Sequence, residues 1–133
     1  MESISPPSES PTAYLPHRNP FLFIDRVVSR EPGVSATGIK CVTHEQGGYP
    51  EVFLLESMAQ LGGIASATRK GEGGFLAAVD RAEFFREIQP GDRILVKVHI
   101  VKSFGRLFLM EGDASVDGER VASAALTLGI GTI

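Results

Sequence analysis

Tryptophan is absent from these 133 residues and cysteine occurs once, at Cys41. A single thiol excludes an intramolecular disulfide and any zinc site built on several cysteines, and it is compatible with a reducing, cytoplasmic setting. Basic residues are few: 13 Lys and Arg stand against 16 Asp and Glu, a formal net charge of -3 with no basic tract, so no nucleic-acid footprint is visible. Long apolar runs are also missing. Each breaks at a charge or a glycine well before the roughly 18 residues a membrane helix needs. The opening MESISPPSESP is acidic and proline-rich, whereas a secretory leader is basic and then apolar, so neither a signal peptide nor a membrane span is expected. What the chain does have is 43% hydrophobic content and a mean hydropathy of +0.08, the composition of one ordinary domain with one core. A small molecule or a protein fits such a surface better as partner than a nucleic acid or a membrane.

Residues 1–13 combine Ser, Pro and Glu with almost nothing to bury and are predicted to form a mobile N-terminal tail. A single domain, 14–133, follows. FLFIDRVVSR (21–30) and VSATGIKCVT (34–43) have strand composition and are separated by Glu31-Pro32-Gly33, a turn signal, which predicts a hairpin. Four more strands are predicted at 74–85, 92–101, 105–116 and 119–130, punctuated by Pro90-Gly91, Ser103 to Gly105, and Asp117-Gly118. In 92–101, Ile94, Val96, Val98 and Ile100 alternate with Arg93, Leu95, Lys97 and His99, as in a sheet covered on one face and wet on the other. The cover is supplied by EVFLLESMAQLGGIASATRK (51–70), the one good helix, whose Leu54, Leu55, Met58, Leu61 and Ile64 leave it apolar around most of its circumference. An α+β architecture follows, a curled antiparallel sheet of about six strands wrapped around one central helix. Gly62-Gly63 costs this helix roughly 1 kcal/mol per glycine relative to alanine, which points to close approach of another backbone. The open sheet edge needs cover, and a symmetric dimer that continues the sheet provides it.

Glu56 and Gln60 are four residues apart and share a helix face with Gly63 and Ala67, a narrow stripe of polar and small residues. Such a stripe either faces water or lines a site. The apolar neighbours Leu54, Leu55, Met58 and Ala59 suit Glu56 to proton transfer at a pocket.

Four stretches carry a resemblance. LPHRNPFLFIDRV (15–27), LLESMAQLGGI (54–64), VDRAEFFREIQPGDRILVKV (79–98) and VDGERVASA (116–124) resemble the (3R)-hydroxyacyl-acyl-carrier-protein dehydratases of fatty-acid synthesis, which have the hotdog fold. The resemblance implies that Glu56 is catalytic and that Gln60, one turn later, belongs to the substrate site. In the family, a loop of the form Gly-His-Phe-Pro-Gly-x-Pro-x-x-Pro-Gly-Val precedes the helix, and its histidine works with the glutamate across a dimer interface. Here the equivalent is the shorter HEQGGYPEV (44–52), without Gly-His-Phe-Pro. Tyr49, Pro50 and Val52 still match the end of the motif. Glu51 stands in place of a glycine whose neighbouring amides bind the substrate carbonyl, so its charge suits the helix dipole but competes with an oxyanion for the same donors. In one alignment His44 replaces the family histidine; in the other, His44-Glu45 matches the start of the loop and the catalytic histidine is deleted.

The implied catalytic pair is therefore Glu56 and His44, with Gln60, Val52, Tyr49 and Glu51 around the substrate. No metal and no cofactor are expected. His99, on an outward strand face, and His17, in the entry to the first strand, are read as exposed and structural respectively. Phe104 and Phe108 are read as core before acyl-tunnel wall, and Arg81 and Arg86 as solvated cations or contacts for an acidic carrier protein. The resemblance implies a lyase acting on 3-hydroxyacyl thioesters of acyl carrier protein or coenzyme A, as a homodimer or higher oligomer. The short loop keeps two alternatives open. One is an acyl-binding partner of a complete dehydratase subunit in a heterodimer, and the other is an acyl thioesterase of the same fold.

Overall fold

The computed structural model describes residues 10–11, 23–43, 49–66 and 72–132. Six strands, β1 (Arg26–Glu31), β2 (Ser35–Cys41), β3 (Glu72–Phe84), β4 (Arg93–Phe104), β5 (Leu107–Val116) and β6 (Glu119–Thr132), surround one helix, α1 (Glu51–Ser66). They form one antiparallel sheet in the order β1-β2-β4-β5-β6-β3. The α+β expectation of about six strands around a helix holds.

Period-two alternation sets the two sheet faces. Ile94, Val96 and Val98 of β4, Met110 and Ala114 of β5, and Leu126 and Leu128 of β6 are buried beneath α1 with Leu54, Met58, Leu61 and Ile64. The outer face carries Lys97, His99, Glu111 and Asp113, with His99 Nε2 3.2 Å from Glu111 Oε1 on the adjacent strand. No helix among the described residues is long and apolar enough to cross a membrane.

Gly62 does permit a close approach, but of side chains. A Cβ there would lie 2.2 Å from Met110 Sδ and 2.6 Å from Leu128 Cδ1, so among the described residues the nearest atoms belong to core side chains of the sheet. The first strand starts later than its composition predicts, at Arg26. Phe23 and Ile24 precede it outside the ladder, because the backbone of Phe23 bonds to helix side chains. At the far end β4 runs on to Phe104, and the turn falls on Gly105-Arg106. Phe104 is exposed, which corrects the reading of it as core: it lies opposite Leu107 on the outer face. Of the predicted tail, Ser10 and Pro11 are described, and Pro11 is buried.

The Pro90-Gly91-Asp92 turn ties two strand ends together. Gly91, at φ 91°, donates its N–H to Val42 O at 2.8 Å, and Val42 N–H donates to Asp92 O at 2.9 Å. The Asp92 carboxylate accepts from Gln89 N–H at 2.8 Å and from Arg86 at 3.0 Å. Burial pushes the Asp92 carboxyl up, but the Gln89 amide and the Arg86 guanidinium together outweigh it and hold the group below its ordinary value.

Candidate active site

The site expected from sequence centres on the first half of α1. Pro50 and Glu51 open the helix, Phe53 N–H donates to Pro50 O at 3.0 Å, and Glu51 lies in the first turn, where a negative charge opposes the helix dipole favourably. Glu51 and Val52 are both exposed, Val52 by 58%. Tyr49 is half-buried against the core, its ring edge-on to Phe53 with centroids 5.7 Å apart.

Glu56 is half-buried one turn further on. Its Oε2 is sealed from solvent and has no hydrogen-bond partner among the described residues. A buried carboxylate oxygen without a partner is costly, and its persistence is a mark of chemistry or of a group that completes the site.

Gln60 and Ser57 do a different job. Gln60 is buried, and its Oε1 accepts the Phe23 N–H at 2.8 Å. Ser57, fully buried, donates its Oγ–H in the direction of Phe23 O at 2.6 Å, with Phe53 O also within reach at 3.0 Å. Two helix side chains thus hold both backbone groups of one residue, as a neighbouring strand would. The ring of Phe23 then packs on Phe53 with centroids 5.0 Å apart. Sequence reading assigned the Gln60 side chain to substrate; here its oxygen is engaged by the fold. Ser57 was not singled out at all, although a serine in the middle of an apolar helix is a signal that its hydroxyl is bonded.

His44 and His17 lie outside the described residues. His99 is on the face turned away from the helix, paired with Glu111, as an exposed residue. Among the described residues no three His, Cys, Asp or Glu side chains converge as a metal site would require. Arg81 donates to Glu83 at 2.7 Å and Arg86 to Asp92 at 3.0 Å, so both cations have carboxylate partners. A groove of about 160 Å³ opens elsewhere, on the outer face, lined by Asp80, Val101, Leu109, Glu111 and Ala125, and Glu56 takes no part in it.

Comparison with known proteins agrees with this architecture. A model of the FabA-like domain matches residues 15–125. The 3-hydroxyacyl-acyl-carrier-protein dehydratase FabZ of Oceanobacillus iheyensis is 39% identical over 129 residues, 87% of this chain and 92% of its own length. Among solved structures, the dehydratase heterocomplex ApeI:P from Xenorhabdus doucetiae superposes with a TM-score of 0.79 at 17% identity, over 91% of this chain and 90% of that one. A hot-dog-like protein from Thermanaerovibrio acidaminovorans gives 0.63 at 14% identity, over 76% and 83%. The structural likenesses establish the fold. With the match across most of its length, the chain belongs to the FabA-like family and has the hotdog fold.

Proposed function

We propose that the chain acts in fatty-acid biosynthesis on 3-hydroxyacyl thioesters of acyl carrier protein, removing water to give the enoyl thioester. The observation that carries this reading is the Glu56 carboxylate, sealed and unpartnered among the described residues, on the helix that the family uses for catalysis. In the reaction a proton leaves C2, its bonding electrons form the C2–C3 double bond, the C3–O bond breaks, and the departing hydroxyl takes up a proton as water. Glu56 and a histidine share these two proton transfers. His44 is the histidine this chain's sequence offers ahead of α1. Tyr49, Glu51 and Val52 border the entrance, and the first-turn amides of α1 face the thioester carbonyl. The setting proposed is the cytoplasm.

The catalytic unit is a dimer formed edge to edge. Among the described residues strand β3 ends the sheet and has β6 as its one neighbour, and its Phe75 and Val79 are exposed. A long edge with exposed apolar residues calls for a partner strand, and a second β3 continues the sheet across a two-fold axis.

A second reading is favoured by the short HEQGGYPEV loop, which lacks the family's Gly-His-Phe-Pro: the chain is then the acyl-binding subunit of a heterodimer whose other member brings the histidine. The structural neighbour described as a dehydratase heterocomplex supports it. Turnover of a 3-hydroxyacyl thioester by the purified chain tests both. Activity that disappears in both Glu56→Gln and His44→Ala supports the self-sufficient enzyme. Activity that appears only with a complete dehydratase subunit, and survives His44→Ala, supports the heterodimer. Inactivity under both conditions, over several acyl lengths, removes the dehydratase reading.

A further inference from the structure

Phe53, Glu56 and Gln60 are spaced three and four residues apart and so share one face of α1. Tyr49, just ahead of the helix, joins the row through its ring contact with Phe53. Across this row lies Phe23. Gln60, one turn beyond Glu56, accepts its N–H; Ser57, next to Glu56, donates to its C=O; and its ring rests on Phe53, one turn before Glu56. Phe23 therefore spans the helix surface on both sides of the carboxylate. The sheet holds the segment from its other end: Ile24 is fully buried, and Asp25 N–H donates to Ile39 O at 2.9 Å.

Both bonds to the helix use backbone atoms of Phe23, so they form with almost any side chain at this position. The phenyl ring serves something else. It is half-buried, as are the rings of Phe53 and Tyr49, and the three touch in succession, with centroids 5.0 and 5.7 Å apart. Partly open aromatic rings beside a carboxylate whose Oε2 has no partner among the described residues make the lining of an apolar site with one polar group.

Which part of a ligand meets the ring follows from the direction along the helix. This step rests on the dehydratase reading, in which the first-turn amides face the thioester carbonyl and Glu56, a turn further on, meets C2 and C3. An acyl tail that continues the same way heads for Gln60. Within about 6 Å, the rise of four helical residues, it arrives at the Phe23 that Gln60 holds. The ring has little room to yield there, because its backbone is fixed at both ends and Phe53 backs it.

We propose that Phe23 is the specificity-determining wall of the acyl site: its ring, backed by Phe53, closes the path of the tail beyond Glu56, and the chain takes short acyl groups in preference to long ones.

A ratio between two substrates reads this out, because loss of folded protein or of general activity cancels from it. For the full chain, kcat/KM should be higher for 3-hydroxybutyryl-pantetheine than for 3-hydroxyoctanoyl-pantetheine. Phe23→Ala, which keeps both backbone bonds, should move the ratio toward the octanoyl thioester by about tenfold or more, the scale on which pockets discriminate methylenes. Phe23→Tyr should keep the preference for butyryl, and Phe104→Ala, on the outer face, should leave the ratio as in wild type. If Phe23→Ala does not fold, Phe23→Leu decides, with a smaller shift of the same sign. Calorimetric affinities for butyryl- and octanoyl-pantetheine, which lack the hydroxyl and cannot be dehydrated, separate the wall from the reaction. A shift of these affinities in Phe23→Ala without turnover of any 3-hydroxyacyl thioester removes the dehydratase reading and keeps the wall. Turnover with a ratio that Phe23→Ala and Phe23→Leu both leave unchanged keeps the dehydratase reading and overturns the wall. A wild type that prefers the octanoyl thioester also overturns it, and a chain that neither binds nor turns over either length overturns both.

Discussion

Helix α1 divides at Glu56. Every residue from Ser57 to Ser66 is buried, whereas Glu51, Val52, Phe53 and Glu56 are exposed or half-buried. The second half is held all round, by Met110 and Leu128 against Gly62 and by Phe23 against Ser57 and Gln60. The first half is held mainly through Leu54 and Leu55 and by the ring contacts of Phe53. One element therefore does two tasks. Its C-terminal part fixes the fold, and its N-terminal part, fixed by that anchor, carries a carboxylate at a cost the fold alone gives no reason to bear. If this division is correct, substitutions in the two halves fall in different currencies, activity in the first and stability in the second.

The largest effect is expected at Glu56. Glu56→Gln keeps the shape and removes the acid–base function, so kcat should fall by about 10² or more, the usual scale for a positioned acid or base. Stability should hold or rise, because a neutral amide replaces a buried carboxylate oxygen with no partner among the described residues. Thermal unfolding beside steady-state kinetics checks both. Equal losses of activity and stability would erase the distinction between the halves.

Gly62→Ala acts in the other currency. The added methyl meets Met110 Sδ and Leu128 Cδ1 in a packed core, an overpacking cost of about 1–3 kcal/mol, against roughly 1 kcal/mol gained in helix propensity. The melting temperature should fall by several degrees, with turnover per folded molecule unchanged. An unchanged melting temperature would show that Met110 swings aside freely.

How much of this was legible in the sequence follows the same line. The alternation of Ile94, Val96 and Val98 with Arg93, Lys97 and His99 is local, and by itself it marks which face of β4 is covered. The Asp117-Gly118 turn was equally plain, and both residues adopt positive φ. The late start of β1 was not legible, because Phe23 takes its backbone partners from Ser57 and Gln60, 34 and 37 residues away. Phe104 was misread for a related reason: composition states that a residue is apolar, but the face it occupies depends on a register that includes the irregularity between Ile100 and Lys102. At the site, Glu56 stood out through its apolar neighbours and its motif, while nothing in the sequence marked Gln60 Oε1 as the acceptor of the Phe23 N–H. The motif names the residue type at a position; only the tertiary contacts reveal which atoms are already in use.

Ser57→Ala sharpens that point with a smaller change. It removes one hydrogen bond to Phe23 O, about 1 kcal/mol, offset in part by alanine's helix preference. A net loss of roughly half that is expected, with faster amide exchange at Phe23 as the specific sign. An exchange rate at Phe23 equal to wild type would mean that Gln60 alone suffices to hold the segment.

Glu51 offers the smallest effect and the most discriminating one, because its two consequences have opposite signs. As an exposed carboxylate in the first turn, it stabilises α1 against the helix dipole, and Glu51→Gln should cost about 0.3–1 kcal/mol, less in high salt. In the proposed reaction the same charge opposes the negative charge that develops on the thioester oxygen near the first-turn amides. Its removal should then raise kcat severalfold, with the gain shrinking as salt screens the wild-type charge. Glu51→Gly, which restores the residue the family carries there, should raise kcat at least as much and cost more stability, since glycine at a helix start adds its own entropy loss. A variant that is both less stable and more active is hard to obtain by general loosening at this position, because loosening gives no dependence on salt. Turnover measured in low and high salt, for wild type and Glu51→Gln, is the decisive comparison. If the ratio of the two does not change with salt, the carboxylate does not face the oxyanion and the thioester carbonyl is bound elsewhere.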